Sequence, residues 1–217
     1  MERRHVAADN NCLFTSCAYL CEGLTSELDL RAAARRLRAV CAEAVLADPD
    51  PETRALMLGH DNVGSYDAWI RVETHWGGEP EVLMLAEHFG VEIVLASCET
   101  LRCATYSPPT PTARIFLLYT GQHYDPLVGA SEELRKLHVD VPSDELAVSA
   151  VKVAEAHNAE AERRRNEKRV MRIKCGGCGA VVADNAAFQV DIFWPACFVA
   201  LSNPPFNDSA PNRPPPI

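Results

Sequence analysis

The sequence predicts an α/β (α+β) domain: a small central β-sheet packed between helices, followed by a long charged helix. Three observations lead there. Apolar residues recur at helical spacing through residues 11–89, short β-rich runs then appear at 91–96 and 114–119, and helical spacing returns after Ser143 with a dense run of charge. Helices first and strands later suit helices laid on one sheet. At 217 residues, 47% hydrophobic and 24% charged, the chain has material for a full core, so one domain with an appendage is expected.

The elements follow in order. Residues 5–8 read as a short strand feeding the loop Asp9-Asn10-Asn11. A helix over 11–22 carries Leu13, Phe14, Cys17, Ala18 and Cys21 near helical spacing, with Asp and Asn, good N-cap types, just before it. Residues 30–46 are strongly helical, with Arg31, Arg35, Arg36 and Arg38 interleaved among Ala and Leu, and they stop before Asp48-Pro49-Asp50-Pro51. Pro51 suits a first helical position, so 52–58 form a short helix closed by Gly59. Tyr66, Trp69, Ile70 and Val72 put a partly apolar face on a helix over 65–73. Trp76-Gly77-Gly78 is a loop, and a helix over 79–89 stops at Gly90. Strands at 91–96, 114–119 and 123–127 follow, with the turn residues Pro108-Pro109-Thr110-Pro111 among them. The helix over 143–170 crowds Glu160, Glu162, Arg163, Arg164, Arg165, Glu167 and Lys168 into its second half, the pattern of a solvated face and linker.

Composition narrows the function. A formal charge of −9 argues against nucleic-acid binding, which relies on Lys and Arg at phosphates, and fits a neutral or basic protein partner better. No apolar run reaches membrane-spanning length, so no membrane partner is expected. The N-terminus leads straight into the Asp9 loop, with no room for the apolar region of a signal peptide. Nine cysteines without a secretion signal read as the reduced thiols of a cytoplasmic or nuclear protein.

The chemistry begins at Cys12. A thiol at a helix N-terminus sits in the positive end of the helix dipole, among backbone N–H groups that lack partners. Both features favour thiolate, and the same N–H groups could hold an oxyanion during acyl transfer. The competing reading is a buried structural cysteine. A cysteine nucleophile also needs a base that later protonates the leaving amine, and one histidine can do both. His123 lies in Gly121-Gln122-His123-Tyr124-Asp125, where it can project from the start of a strand. Asp125, two residues on, points to the same face and could orient it. Asp9 is the other nearby carboxylate. Spacing alone does not join Cys12 to His123.

A resemblance does. Asp-Asn-Asn-Cys-Leu-Phe (9–14), Trp-Gly-Gly (76–78) and Gly-Gln-His-Tyr-Asp-Pro-Leu (121–127) stand in the order seen in the ovarian-tumour (OTU) domain family of deubiquitinating cysteine proteases. The match is closest to the subfamily in which this domain precedes a two-cysteine, two-histidine zinc finger. An analogous chain there reads Asp-Asn-Ser-Cys-Leu-Phe, Trp-Gly-Gly and Gly-Ile-His-Tyr-Asp-Pro-Leu.

The resemblance implies a papain-like fold and a thiol-dependent hydrolase of isopeptide bonds at the ubiquitin C-terminus, needing no cofactor. It implies Cys12 as nucleophile, His123 as base and acid, and Asp9 as the third site residue, supporting the loop; Asp125 is the physical alternative for orienting His123. The backbone at 9–12 would form the oxyanion hole, and the loop over 72–79, with Trp76, Gly77 and Gly78, would flank the substrate channel. Gln122 stands where the subfamily usually has a branched apolar residue touching the ubiquitin tail. Ubiquitin and polyubiquitin chains are the implied partners. Docking on an AAA ATPase is doubtful, because only eleven residues precede Cys12 and the subfamily's docking domain is missing.

The domain plan is thus 1–130 catalytic, 143–172 a charged helical linker, and 173–217 a truncated or degenerate zinc-finger region with a Pro-rich disordered tail. Cys175-Gly-Gly-Cys178 is half of a zinc site, but no histidine follows His157 and only Cys197 remains, so zinc binding is expected to be weak or absent. The alternative to an enzyme is a catalytically silent ubiquitin-binding module.

Overall fold

The computed structural model of the chain describes residues 1–129, 135–169, 173–174 and 181–182. Five helices come before the first long strand: α1 (Cys12–Glu22), α2 (Glu27–Leu46), α3 (Pro51–Met57), α4 (Val63–Ile70) and α5 (Glu79–Phe89). Their ends follow the local chemistry. Ser26 caps α2 by accepting from the Asp29 N–H, Asp50 caps α3 with Pro51 in its first turn, and Asn62 and Ser65 cap α4 reciprocally.

The sheet is built from β1 (Glu2–Arg3), β2 (Val91–Ser97), β3 (Cys103–Tyr106), β4 (Ala113–Tyr119), β5 (Tyr124–Val128) and β6 (Leu137–His138). Its order is β1-β5-β4-β2-β3, with β6 also on β4. Only the β2–β4 pair is parallel. Both faces are covered. Ile93, Leu95, Ile115 and Leu117 join Leu13, Phe14, Leu37, Ile70 and Leu85 in one core, while the alternate residues Val94, Ala96, Phe116 and Leu118 form a second core. A sheet buried on both faces explains why β2 and β4 read in sequence as continuous apolar runs.

The second core corrects the domain plan. Its cover is the helix α6 (Ser143–Arg169), through Ala150 and Ala154, with Leu146 and Val153 packed against them. Compact units divide at Met1–Glu160 and Ala161–Ile217, so the first half of α6 belongs with the sheet and is not a linker. Four small or medium apolar residues suffice for that contact, and the charge crowded behind them hid the stripe. Residues 158–167 are exposed, as a charged face should be. The second unit carries the end of α6 and the antiparallel pair β7 (Ile173–Lys174) and β8 (Val181–Val182).

Three further differences are local. The first strand is Glu2–Arg3, not 5–8, because β1 is specified by pairing with β5 (Glu2↔Val128, Arg3↔Leu127) and not by its own apolar content. β3 and β6 were missed: β3 is a short, half-exposed edge strand, and β6 has two residues. The helix expected over 65–73 ends at Ile70, leaving its last turn to the Trp76 loop.

Candidate active site

One tight hairpin brings the distant motifs together. β4 and β5 pair with Tyr119 opposite Tyr124, so residues 120–123 turn tightly, and the Thr120 N–H donates to the His123 carbonyl at 3.0 Å. Gly121 takes φ +94° there, in the left-handed region that glycine tolerates. That turn presents His123 at the end of the sheet beside the start of α1. The Tyr124 N–H points at the Cys12 sulfur, 3.5 Å away, and the His123 side chain lies close enough to interact with Cys12.

Asp125 lies behind the imidazole. Its Oδ1 accepts from His123 Nε2 at 3.2 Å and from the Val6 N–H at 3.0 Å. Its Oδ2 accepts from Arg3 Nε at 2.8 Å. The Asp125 side chain is fully buried. Burial pushes that carboxyl up, but hydrogen bonds from His123, Val6 and Arg3 outweigh it and hold the group below the ordinary carboxylate range. The hydrogen bonds to Asp125 and then Cys12 raise His123 to about 10, so its charged form is favoured at neutral pH.

The remaining described thiols are poor nucleophiles. Burial raises Cys17, Cys41, Cys98 and Cys103, and takes Cys21 to about 12. Cys12 is the one that the structure sets against a histidine.

The loop before Cys12 is held from within. Asp9 Oδ1 accepts the Asn11 N–H at 3.1 Å, and Asn10 sits at φ +65°, an uncommon conformation for a residue with a side chain. The fully buried Arg38 of α2 donates to Asn11 Oδ1 at 2.9 Å and to the Asn10 carbonyl at 3.0 Å. It also donates to the carbonyls of Ile70 (2.9 Å) and His75 (2.6 Å), so one guanidinium ties the nucleophile loop to the Trp76 loop. Because Arg38 takes the Asn11 amide, Asn11 does not cap α1, contrary to what an Asn before Cys12 suggests. The first N–H groups of α1 therefore have no side-chain acceptor.

A cleft of about 160 Å³ opens over the sulfur, lined by Cys12, Asn10, Trp76, Gly77, Gly78, Tyr119, Gln122 and Tyr124. Trp76 is half exposed and donates its indole N–H to Asn10 Oδ1. Gly77 must be glycine: a Cβ would stand 2.9 Å from both Leu13 Cδ2 and Phe14 Cζ, in the core. Glu81 anchors the loop from α5, accepting the Gly78 N–H at 2.7 Å and the Tyr66 hydroxyl at 2.8 Å.

A thiol, an imidazole and a buried carboxylate facing a narrow cleft form an arrangement suited to acyl transfer, and the chain is similar to known proteins. Ubiquitin thioesterase OTU1 of Danio rerio is 39% identical over 128 residues, 58% of this chain and 41% of that protein. The Xenopus laevis protein of that name is 34% identical over 180 residues, 81% of this chain and 57% of that one. A solved ovarian-tumour (OTU) domain, in complex with ubiquitin, superposes with a TM-score of 0.61 at 24% identity, covering 70% of this chain and 84% of its own. The fold is that of an OTU domain. No family model matches it, and it spans about half the length of the two relatives, 41% and 57%.

On this OTU fold the residues anticipated from sequence fall into three groups. Cys12, His123 and Asp125 meet in one contact chain, and Gln122, Trp76, Gly77 and Gly78 line the cleft beside it. Asp9 is close in sequence to the sulfur, but its carboxylate turns to the Asn11 N–H, whereas Asp125 is the carboxylate bonded to His123. Cys175 and Cys178, with the tail, lie outside the described residues. Among the described residues no three His, Cys, Asp or Glu side chains gather to hold a metal. Sequence reasoning missed Arg3, Arg38, Tyr119 and Glu81. Arg38 was one arginine among several on a helix, and nothing in its spacing distinguishes the buried one.

Proposed function

We propose that the chain is a thiol-dependent ubiquitinyl hydrolase, cleaving isopeptide bonds at the C-terminal glycine of ubiquitin in conjugates and polyubiquitin chains. The observation that carries this reading is the contact between Cys12 and His123, with Asp125 behind the imidazole. The similarity to proteins named ubiquitin thioesterase supplies the substrate class. The narrow cleft between Trp76, Gly78 and Tyr124 suits a Gly-Gly end, which has no side chains to obstruct entry.

In this mechanism the Cys12 thiolate attacks the scissile carbonyl while His123 holds the proton as imidazolium. The oxyanion is received by N–H groups at the start of α1, where no side-chain cap competes. His123 gives its proton to the departing lysine amine, leaving a Cys12 thioester. Water then loses a proton to His123, attacks the thioester, and the returning thiolate and imidazolium restore the site. Asp125 holds the ring in the orientation that both transfers need.

A nucleophilic thiol works only while reduced. The described cysteines are free, which supports a reducing compartment, the cytoplasm or nucleus, as the place of action. The test is incubation with linkage-defined diubiquitins beside Cys12→Ala, together with a ubiquitin C-terminal electrophile. Cleavage and labelling at Cys12 are expected. Binding of ubiquitin without either would make the chain a silent binding module instead.

A further inference from the structure

The contact chain does not end at Asp125. Arg3 stands opposite Leu127 across the β1–β5 pair, and Leu127 packs into the core under α6. Side chains two residues apart on a strand share a face, so Asp125 lies on that same α6 side, diagonal to Arg3 and within reach of a long side chain. The contacts are specific. Arg3 Nε reaches Asp125 Oδ2 at 2.8 Å and Nη2 reaches the same oxygen at 2.5 Å. The third guanidinium nitrogen, Nη1, meets Nδ1 of His157 on α6 at 2.7 Å.

Every lone-pair direction of the Asp125 carboxylate is thereby occupied: His123 and the Val6 N–H on Oδ1, two Arg3 nitrogens on Oδ2. A buried carboxylate can rotate only by giving up one of these bonds, so the face it offers His123 is fixed. Arg3 is fixed in turn. Its donor requires His157 to accept through Nδ1, which makes that imidazole neutral with its proton on Nε2. Burial and the Arg3 charge both favour this form of His157.

We propose that Arg3 is a positioning residue that holds Asp125 ionised and aimed at His123, with His157 of α6 as the group that seats Arg3. The helix behind the sheet thus belongs to the catalytic apparatus. This rests on the proposed chemistry at Cys12, and the experiment below separates the two.

Charge predicts the direction of the effect. The Arg3 cation stabilises the Cys12 thiolate and opposes the His123 imidazolium. Other ionisable groups facing this region are Cys98, which feels both Arg3 and Asp125, and Glu160 and His5 beside His157. None of them is altered in the variants below. In Arg3→Met, both limbs of the kcat/KM profile for a ubiquitin C-terminal amide should move to higher pH by roughly one unit. Turnover at the optimum should fall roughly tenfold to a hundredfold as Asp125 loses its clamp. Arg3→Lys keeps the charge without the fork, so its limbs should stay near wild type while turnover falls.

The acidic limb is read a second way, from the pH dependence of iodoacetamide alkylation at Cys12, resolved by peptide mass, which needs no ubiquitin. If wild type cuts no ubiquitin substrate, the proposed function fails while the alkylation limb still reports on Arg3. A folded Arg3→Met whose limbs stay at the wild-type pH overturns the proposal. Should Arg3→Met not fold, His157 carries the test. His157→Ala should slow Cys12 alkylation severalfold and His157→Gln, which can still accept from Arg3, should restore it. Equal rates in the two variants overturn the proposal.

Discussion

The backbone N–H of Tyr124 faces the sulfur of Cys12 at 3.5 Å, joining segments 112 positions apart. That contact limits the reach of the neighbouring His123, the last residue of the turn, because a residue next to an anchored N–H has little freedom to withdraw.

Removing either partner should silence the chemistry to different degrees. Cys12→Ala is expected to abolish both diubiquitin cleavage and labelling by the electrophile. His123→Ala should lose roughly a hundredfold to ten-thousandfold in kcat, the usual contribution of a positioned acid–base group. Turnover of Cys12→Ala near the wild-type rate would defeat the assignment.

The two carboxylates should separate in a pH profile. Asp125 stabilises the His123 imidazolium, so Asp125→Asn should bring the alkaline limb of kcat/KM down in pH. Asp9 acts on the loop through the Asn11 N–H, so Asp9→Asn should lower kcat and leave that limb where it is. A limb that moves with Asp9 and not with Asp125 would reverse the two roles.

Gly77→Ala tests the close approach of the cleft wall to the core. The new Cβ would lie 2.9 Å from atoms of Leu13 and Phe14, both buried and unable to swing away. Overpacking of this kind costs about 1–3 kcal/mol, visible as a lower urea midpoint. Since Gly77 also lines the cleft, KM should rise. A variant as stable as wild type would mean that the loop gives way.

Arg38→Met removes the donor from Asn11 and from the carbonyls of Asn10, Ile70 and His75. Buried acceptors without partners cost about 1–3 kcal/mol each, and the summed loss should reach at least about 3 kcal/mol in urea unfolding. Lysine has three donors, so Arg38→Lys should fall between. A loss under about 1 kcal/mol would show that the loops hold without the guanidinium.

Stability should depend on pH through His123. Its folded value, about 10, lies above the ordinary 6.5, so its contribution is complete below about pH 6.5 and disappears as pH rises through 10. Asp125, held low, acts in the opposite sense, losing its contribution as pH falls through its depressed value. Thermal melts of wild type from pH 6 to 10 should therefore decline more steeply than those of His123→Gln. Parallel curves would exclude the linkage.

Residue order alone determined a good deal here. The helices through residue 89, the strands expected at 91–96 and 114–119, and a thiol motif and a histidine motif were legible because helix period, turn residues and short motifs are local properties. Asp125 could be named because alternation on a strand puts it on the face of His123. What tertiary structure decided was partnership. Asp9 and Asp125 are both carboxylates near the motifs, and only the β1–β5 and β4–β5 pairings determine which one meets the imidazole. Arg3 and Arg38 look like any surface arginine in sequence, since burial of a guanidinium depends on acceptors contributed by distant segments. The apolar stripe of α6 was masked by charge for the same reason: four residues acquire meaning only when a sheet lies beneath them.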